Sequence, residues 1–250
     1  MTGIERGNEL NELGWWSHWA KLGWFSKSCY YLRSRAFKEP LFNHAGLLAT
    51  RVSLDRLLEQ VERTYGEDET IPVFFLQDTP RYASIRGRIL ARGYRVADKF
   101  LVMQLLRASQ SAAAEVTCRI VRRENLDDWC KSYLSAFYGE LSLMESVRAS
   151  IKKALKERRT KLILAEVGDR PAGTIAIYRR EHYSGVYCVG TVPQFRGRGV
   201  ATAMLRRARE IAEEDGTTIV LQTFLSDSFE NFYVKRGFKR IYSKDVLLKK

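Results

Sequence analysis

The sequence predicts an α/β chain made of two related halves, each a sheet packed by helices. Three observations predict it. A strand-like stretch, Gly185 to Thr191, passes through a glycine-rich turn into a helical stretch, Val200 to Glu214, and then into a second strand, Thr217 to Thr223. Lys161 to Val167 and Gly173 to Arg179 read as a hairpin about Gly168-Asp169-Arg170-Pro171, a good turn sequence. The first half of the chain repeats the pattern of the second, the mark of a duplicated unit.

The elements follow in order. Trp15, Trp16, Trp19, Trp24 and Phe25, then Tyr30 and Tyr31, make an aromatic cluster expected in the core, since aromatics dominate burial. Leu54 to Tyr65 reads as a helix and takes the place that Val200 to Glu214 has in the second half. Val73-Phe74-Phe75-Leu76-Gln77 echoes Thr218-Ile219-Val220-Leu221-Gln222. Gly93-Tyr94 echoes Gly237-Phe238, and a strand follows each, Lys99 to Leu105 and Tyr242 to Leu248. Ala108 to Ala114 is small and polar, as a linker is. The division expected is therefore 1–107, a linker at 108–114, and 115–250. In the helix 200–214, Val200, Met204, Ala208, Ile211 and Ala212 share one face, and Arg206, Arg207, Arg209, Glu210, Glu213 and Glu214 lie elsewhere. Asp215-Gly216 stops it.

Composition narrows the function. The chain is 45% hydrophobic and 28% charged, as a globular protein is. No apolar run approaches the roughly 20 residues of a membrane span, and the start lacks the apolar core of a secretory signal. A cytoplasmic protein without membrane partners is expected. Cys29, Cys118, Cys130 and Cys188 show no Cys-x-x-Cys spacing, which argues against a metal site and a disulfide framework. The net charge of +13 raises the question of nucleic acid. Its lysines and arginines are spread along the chain, however, and no nucleic-acid-binding motif is visible. The run Lys152 to Lys161 reads as a solvated helix face.

The segment Val192-Pro193-Gln194-Phe195-Arg196-Gly197-Arg198-Gly199-Val200-Ala201-Thr202 carries the chemistry. A turn between a strand end and a helix start gathers backbone N–H groups and the positive helix end at one point, which suits a phosphate or pyrophosphate. Gly197 and Gly199 allow close backbone approach, and Arg196 and Arg198 add charge. There is no Gly-x-x-x-x-Gly-Lys-Ser/Thr, and the third glycine of a dinucleotide fingerprint falls at Thr202. The segment resembles the acyl-CoA-binding motif of the GNAT superfamily of N-acetyltransferases, Gln/Arg-x-x-Gly-x-Gly/Ala. Ser228 to Phe238 resembles the second signature of that family, Leu/Phe-Tyr-x-Lys/Arg-x-Gly-Phe, at Phe232-Tyr233-Val234-Lys235-Arg236-Gly237-Phe238. The resemblance covers roughly Val116 to Lys250.

The resemblance implies two GNAT-like domains in tandem, each a mixed, mostly antiparallel sheet flanked by helices. Ile120 would lie on the first strand of the second domain, and Leu126 to Tyr138 and Leu143 to Glu157 would be its first two helices. The N-terminal copy would be degenerate, because its counterpart of the glycine loop, Ala49 to Leu54, has no glycine. The implied function is an acetyl-CoA-dependent N-acetyltransferase moving an acetyl group directly to a primary amine, of a small molecule or a peptide. The rival readings are an acyltransferase with another acyl or aminoacyl donor, and a non-catalytic CoA-binding protein. Arg196, Gly197, Arg198, Gly199, Val200, Ala201 and Thr202 would hold acetyl-CoA, with basic charge extending to Arg209. Backbone amides at Val189, Gly190 and Thr191 would face the thioester oxygen, and Tyr233 would be the general acid. The family often has Asn seven residues before this Tyr; here it is Ser226, able to cap the following helix. Many members carry a Glu on the strand before the glycine loop, and Gly185 to Thr191 has no carboxylate. His182 is the candidate base, ahead of Glu140 and His44. The acceptor pocket is expected near Trp15, Asn43, Tyr138 and Tyr187. A monomer or a homodimer is expected of such a tandem chain.

Overall fold

A computed structural model describes residues 3–107 and 116–250; the expected linker at 108–114 lies outside them. In chain order the elements are α1 (Gly3–Trp16), β1 (Lys21–Ser26), β2 (Cys29–Arg33), β3 (His44–Leu47), α2 (Leu54–Gly66), β4 (Val73–Gln77), α3 (Ala83–Ala91) and β5 (Tyr94–Leu105). Then come β6 (Val116–Ile120), α4 (Leu126–Phe137), α5 (Met144–Ala154), β7 (Thr160–Val167), β8 (Arg170–Arg180), β9 (Tyr183–Thr191), α6 (Val200–Glu214), β10 (Thr218–Phe224), α7 (Glu230–Val234) and β11 (Phe238–Lys249). The fold class is the expected one, a mixed and mostly antiparallel arrangement of strands flanked by helices. No helix among the described residues is long and apolar enough to cross a membrane.

The chain forms two compact units, but not the two consecutive halves of the expectation. Residues to Gln104 group with Gln222–Lys250, and Leu105–Leu221 form the other unit. The cause is β11, which pairs antiparallel with β4 from Lys244–Gln77 to Leu248–Val73. The strand that ends the chain thus completes the sheet of the first unit. In that unit β1, β2 and β3 are antiparallel and β3 lies parallel to β4. Leu57, Leu58 and Val61 of α2 and Ile85 and Ile89 of α3 form one core with Phe74, Leu76 and Leu247. Phe75, Phe100 and Val246, of the opposite strand parity, form a second core.

The repeat is structural as well as sequential. Gly93 and Gly237 adopt φ of 92° and 89°, the left-handed region, each between a short helix and a 12-residue strand. The two strands share almost the same sequence of buried and exposed positions. They differ in what they bury. Phe100 and Leu101 of β5 are matched by Lys244 and Asp245 of β11, all buried. Each charge is paired. Lys244 Nζ donates to Glu9 at 3.2 Å and to Glu12 at 2.8 Å, and Asp245 accepts from Lys99 at 3.0 Å and pairs with Arg86. Tyr242 adds a hydrogen bond to Glu9 at 3.0 Å. α1 therefore buries Asn8, Glu9, Asn11 and Glu12 on a helix with little apolar stripe. Its last turn meets an aromatic group, Trp15, Trp16 and Trp19 against Phe37 and Phe42, with ring centroids 5.4 to 6.3 Å apart. The expected aromatic core is real, except that Trp24 on β1 is 47% exposed.

In the second unit β6, β7, β8 and β9 are antiparallel and β9 is parallel to β10. The β7–β8 turn is the Gly168-Asp169 pair, with φ of 50° and 55°, the two positive values that a tight hairpin needs. α6 buries the predicted face, Val200, Met204, Ala208, Ile211 and Ala212. It packs where β8 has no side chain. A Cβ at Gly173 would lie 2.8 Å from Val200 Cγ1 and 2.8 Å from the Gly190 carbonyl oxygen. α4 takes the other face: a Cβ at Gly190 would lie 2.6 Å from Phe137 Cε2, and Trp129 donates its indole N–H to the Ile163 carbonyl at 3.1 Å.

Two outcomes follow. Gly173→Ala should cost about 1–3 kcal/mol, as overpacking does, because a backbone oxygen cannot step aside as Met204 can; an unchanged thermal midpoint by circular dichroism would mean that α6 stands off the sheet. The second concerns Glu12, whose carboxyl burial raises from 4.5 to about 7. A carboxyl with a raised folded-state pKa contributes stability that is full below pH 4.5 and is lost as pH rises to about 7. The thermal midpoint of the parent minus that of Glu12→Gln should therefore fall across that interval. A difference that stays flat would show Glu12 to be ionised throughout.

Candidate active site

The site in the second unit starts from the way β9 is paired. Against β10 the parallel ladder runs only from Tyr183–Thr218 to Val186–Leu221. Against β8 the register passes from Tyr187–Ala176 to Gly190–Thr174, so Cys188 and Val189 together face Ile175. This is a β-bulge, which leaves an extra residue out of the ladder and turns the strand. Cys188 sits at its centre with φ of 54°, uncommon for a residue with a side chain. Thr174 Oγ1 donates to the Cys188 carbonyl at 3.0 Å and holds the bulge. The segment Val189-Gly190-Thr191 beyond it thus lies past the end of the β9–β10 ladder, and its N–H groups are the ones assigned from sequence to the thioester oxygen.

The glycine loop follows directly. Pro193 to Phe195 make a single 3-10 turn, Arg196 is extended, and Gly197 and Gly199 have φ of 78° and 79°. Gly199 is the N-cap of α6, and no side chain caps the helix. The first turn of a helix has N–H groups with no intrahelical acceptor, and here the residue in the capping position offers none. Nothing lies within 4 Å of a Cβ placed at Gly197, so the loop faces open space on that side. Phe195 anchors the loop from below, buried, with the guanidinium carbons of Arg170 and Arg198 at 5.2 and 5.9 Å from its ring. This geometry fits a pyrophosphate held by backbone donors.

Charge is arranged differently from the expectation. The basic rim does not extend along α6. Arg207 pairs with Glu210 at 2.9 Å, Arg209 with Glu213 at 3.5 Å, and Arg206 with Glu210 at 3.9 Å. Arg196 is bound to backbone, donating to the Thr191 carbonyl at 3.4 Å and the Ala136 carbonyl at 3.2 Å. It ties the loop to the last turn of α4. Arg198 and Arg170 are the exposed cations that remain around Phe195.

Tyr233 lies in the first unit, on the short helix α7. It is 7% exposed, edge-on to Phe232 and Phe238. Burial pushes its hydroxyl pKa well up, helped by Asp227, so it holds its proton. Ser226 is not the cap. α7 begins after Phe229, without a side-chain cap, and the Ser226 hydroxyl donates to Asp98.

His182 is misplaced as a base. It is exposed at the tip of the β8–β9 hairpin, where its carbonyl accepts from Thr218 N at 2.9 Å. It precedes Val189 by seven positions, on the order of 23 Å along a strand. His44 is a core residue, stacked on Phe75 at 3.9 Å between ring centroids, and burial beside Lys244 lowers its pKa to about 3. Glu140 is exposed and accepts from Ser142 Oγ at 3.0 Å. Two residues expected at the acceptor pocket are structural. Trp15 is fully buried, and the Asn43 carboxamide is used by Ser34 N, the Phe37 carbonyl and the Glu39 carbonyl at 2.8, 2.6 and 3.3 Å. Tyr187 is buried opposite Ala176, and Tyr138 is half-buried after α4. The cysteines are free, and burial raises Cys29 and Cys130 to about 12, Cys118 to about 11 and Cys188 well above its ordinary value, which suits none of them as a nucleophile. No group of three or more metal-binding side chains exists among the described residues. Sequence reasoning missed the bulge at Cys188 and the role of Phe137 against Gly190; the only trace of the second was a glycine inside a strand, which often marks a close approach.

An uncharacterised N-acetyltransferase of Methanocaldococcus jannaschii is 30% identical over 130 residues, 44% of this chain and 57% of that relative, so the match spans little more than half of the relative's length. A GCN5-related N-acetyltransferase from Kribbella flavida is similar in structure, with a TM-score of 0.71 at 15% identity over 100% of this chain and 96% of that chain. A tandem GNAT protein from the clavulanic acid biosynthesis pathway gives a TM-score of 0.61 at 11% identity, over 82% of this chain and 74% of that chain. At such identities these two structures speak for the fold alone. The acetyltransferase (GNAT) family matches residues 123–238, which span the bulged strand, the glycine loop and Tyr233.

Proposed function

We propose that the protein is an acetyl-CoA-dependent N-acetyltransferase that passes its acetyl group directly to a primary amine. The observation that carries this reading is the uncapped, glycine-led start of α6 directly after a bulged strand, inside the family stretch 123–238. Acetyl-CoA, when bound, supplies the acyl group as an activated thioester. Gly197, Gly199, Val200, Ala201 and Thr202 would hold its pyrophosphate through backbone donors, with Arg196 and Arg198 at the edge. Backbone N–H groups of Val189 to Thr191 would stabilise negative charge on the carbonyl oxygen. Tyr233, kept protonated by burial, would give its proton to the departing sulfur. β9 carries no carboxylate, so the amine would lose its proton to water or arrive neutral. Ser226, bound to Asp98, is left as a weak candidate for a contact to the cofactor arm.

The N-terminal copy would not bind acyl-CoA. Its β3, α2 and β4 repeat the parallel strand–helix–strand unit, but α2 begins after Ser53 with φ of −78°, and no left-handed glycine leads into it. One cofactor per chain is expected. Calorimetric titration of acetyl-CoA should give one site, lost in the variant Arg196→Glu with Gly199→Glu; no binding, or two sites, would overturn the assignment. Tyr233→Phe should lower kcat by about a hundredfold to ten-thousandfold, the range of general acid catalysis, and leave the acetyl-CoA Kd unchanged. Unaltered turnover would remove Tyr233 from the mechanism.

A further inference from the structure

The peptide that joins Cys188 to Val189 lies in the bulge, and one side chain holds it. Thr174 is fully buried, and its hydroxyl donates to the Cys188 carbonyl at 3.0 Å. Two glycines mark the side of the sheet on which this bond lies. A Cβ at Gly173 would meet Val200 and Met204 of α6, and a Cβ at Gly190 would meet Ala136 and Phe137 of α4. Thr174 follows Gly173 and stands opposite Gly190. Successive side chains alternate and paired ones share a face, so Thr174 lies on the α4 face. The Cys188 carbonyl is drawn towards that face. The Val189 N–H belongs to the same peptide, which is planar and trans. It is therefore turned the opposite way, towards the face on which α6 packs.

The chain does not adopt this orientation by default. It asks of Cys188 a φ of 54°, uncommon for a residue with a side chain. Backbone of that kind persists only where its surroundings hold it. A buried carbonyl also needs a donor, and here the donor is a side chain and not the ladder. Valine at position 174 would fill the same space and supply none, which would free the peptide to turn back. Serine would keep the hydroxyl and lose only a methyl group.

Resting on the acetyltransferase reading above, we infer that Thr174 is a positioning residue of the acyl-transfer site: through the Cys188 carbonyl it aims the Val189 N–H at the thioester oxygen. A donor fixed in advance at that oxygen is what stabilises the charge that develops there. The test uses the full chain with acetyl-CoA and with CoA, which lacks the thioester oxygen, and it needs no acceptor. In the isotope-labelled parent, the Val189 amide proton should move downfield on saturation with acetyl-CoA and not with CoA. Infrared difference spectra should place the carbonyl stretch of bound acetyl-CoA below its frequency in solution. Thr174→Val should lose most of both shifts, Thr174→Ser should keep them, and calorimetry should give both variants the CoA Kd of the parent. Shifts kept in Thr174→Val, or lost in Thr174→Ser, would overturn the inference while cofactor binding stands. A CoA Kd that rises along with the loss would overturn it too, since the hydroxyl would then hold the site as a whole. A Val189 proton that acetyl-CoA leaves unmoved in the parent is equally fatal, and it decides the matter even if Thr174→Val does not fold. Failure of acetyl-CoA to bind at all would overturn both this inference and the reading on which it rests.

Discussion

The candidate site depends on one constraint: β9 cannot stay hydrogen-bonded on both sides along its whole length. Its parallel ladder with β10 ends at Val186–Leu221, and its antiparallel ladder with β8 is broken at Cys188. Backbone polar groups near a core need partners, so a strand released in this way is either closed by side chains or reserved for a ligand. Thr174 closes one group, the Cys188 carbonyl. The chain then spends five residues reaching Gly197, and two left-handed glycines deliver it into α6 with no side-chain cap. Strand end and helix start thus lie within one short stretch of sequence. Gly173 and Gly190 have a part in this, because they let α6 and α4 close on the sheet at the level of the bulge.

The first unit carries the same strand–helix–strand pattern without the glycine loop. β3 is only four residues long, and α2 starts without a glycine turn. The divergence reaches the paired strands: β5 fills its middle with Phe100 and Leu101, and β11 fills the matching places with Lys244 and Asp245. A buried ion pair is weak evidence of added stability, since desolvation offsets much of the attraction. It does impose a condition on what can pack there. Only a segment that brings carboxylates in register satisfies Lys244, and α1 does so with Glu9 and Glu12 one turn apart. The polar face of α1 and the lysine of the last strand therefore specify each other across almost the whole length of the chain.

This explains which parts were legible in the sequence. α6 and β4 run as their residue patterns predict, because a 3.6-residue apolar face and a short apolar run bounded by turns are local signals. The glycine loop was legible for the same reason. α1 was not: a helix that buries asparagine and glutamate has no apolar stripe, and its partner lies more than two hundred residues away. The membership of β11 was hidden because pairing between distant strands leaves no local mark. The bulge at Cys188 was silent since the left-handed residue there is not glycine. His182 looked plausible only while the length of β9 was left out of account. The neutralised arginines of α6 were readable in principle, as Arg206 and Glu210, and Arg209 and Glu213, stand four apart.

The placing of charge bears on how the site works. The arginines of α6 are matched by its glutamates, and these pairs contribute modestly because they are exposed. A block of exposed cations stands at the end of α5 and beyond it, Lys152, Lys153, Lys156, Arg158 and Arg159. Charges there act through a screened field that fades within about 8–10 Å at physiological salt. They raise the local concentration of a polyanion without touching it. The glycine loop works the other way. Its donors belong to backbone, cannot be screened by side-chain motion, and are fixed by left-handed residues that admit few substitutes. On the proposed reading, recognition of an anion at α6 would rest on backbone geometry, and the exposed lysines and arginines at the end of α5 and beyond it would govern how often that anion arrives.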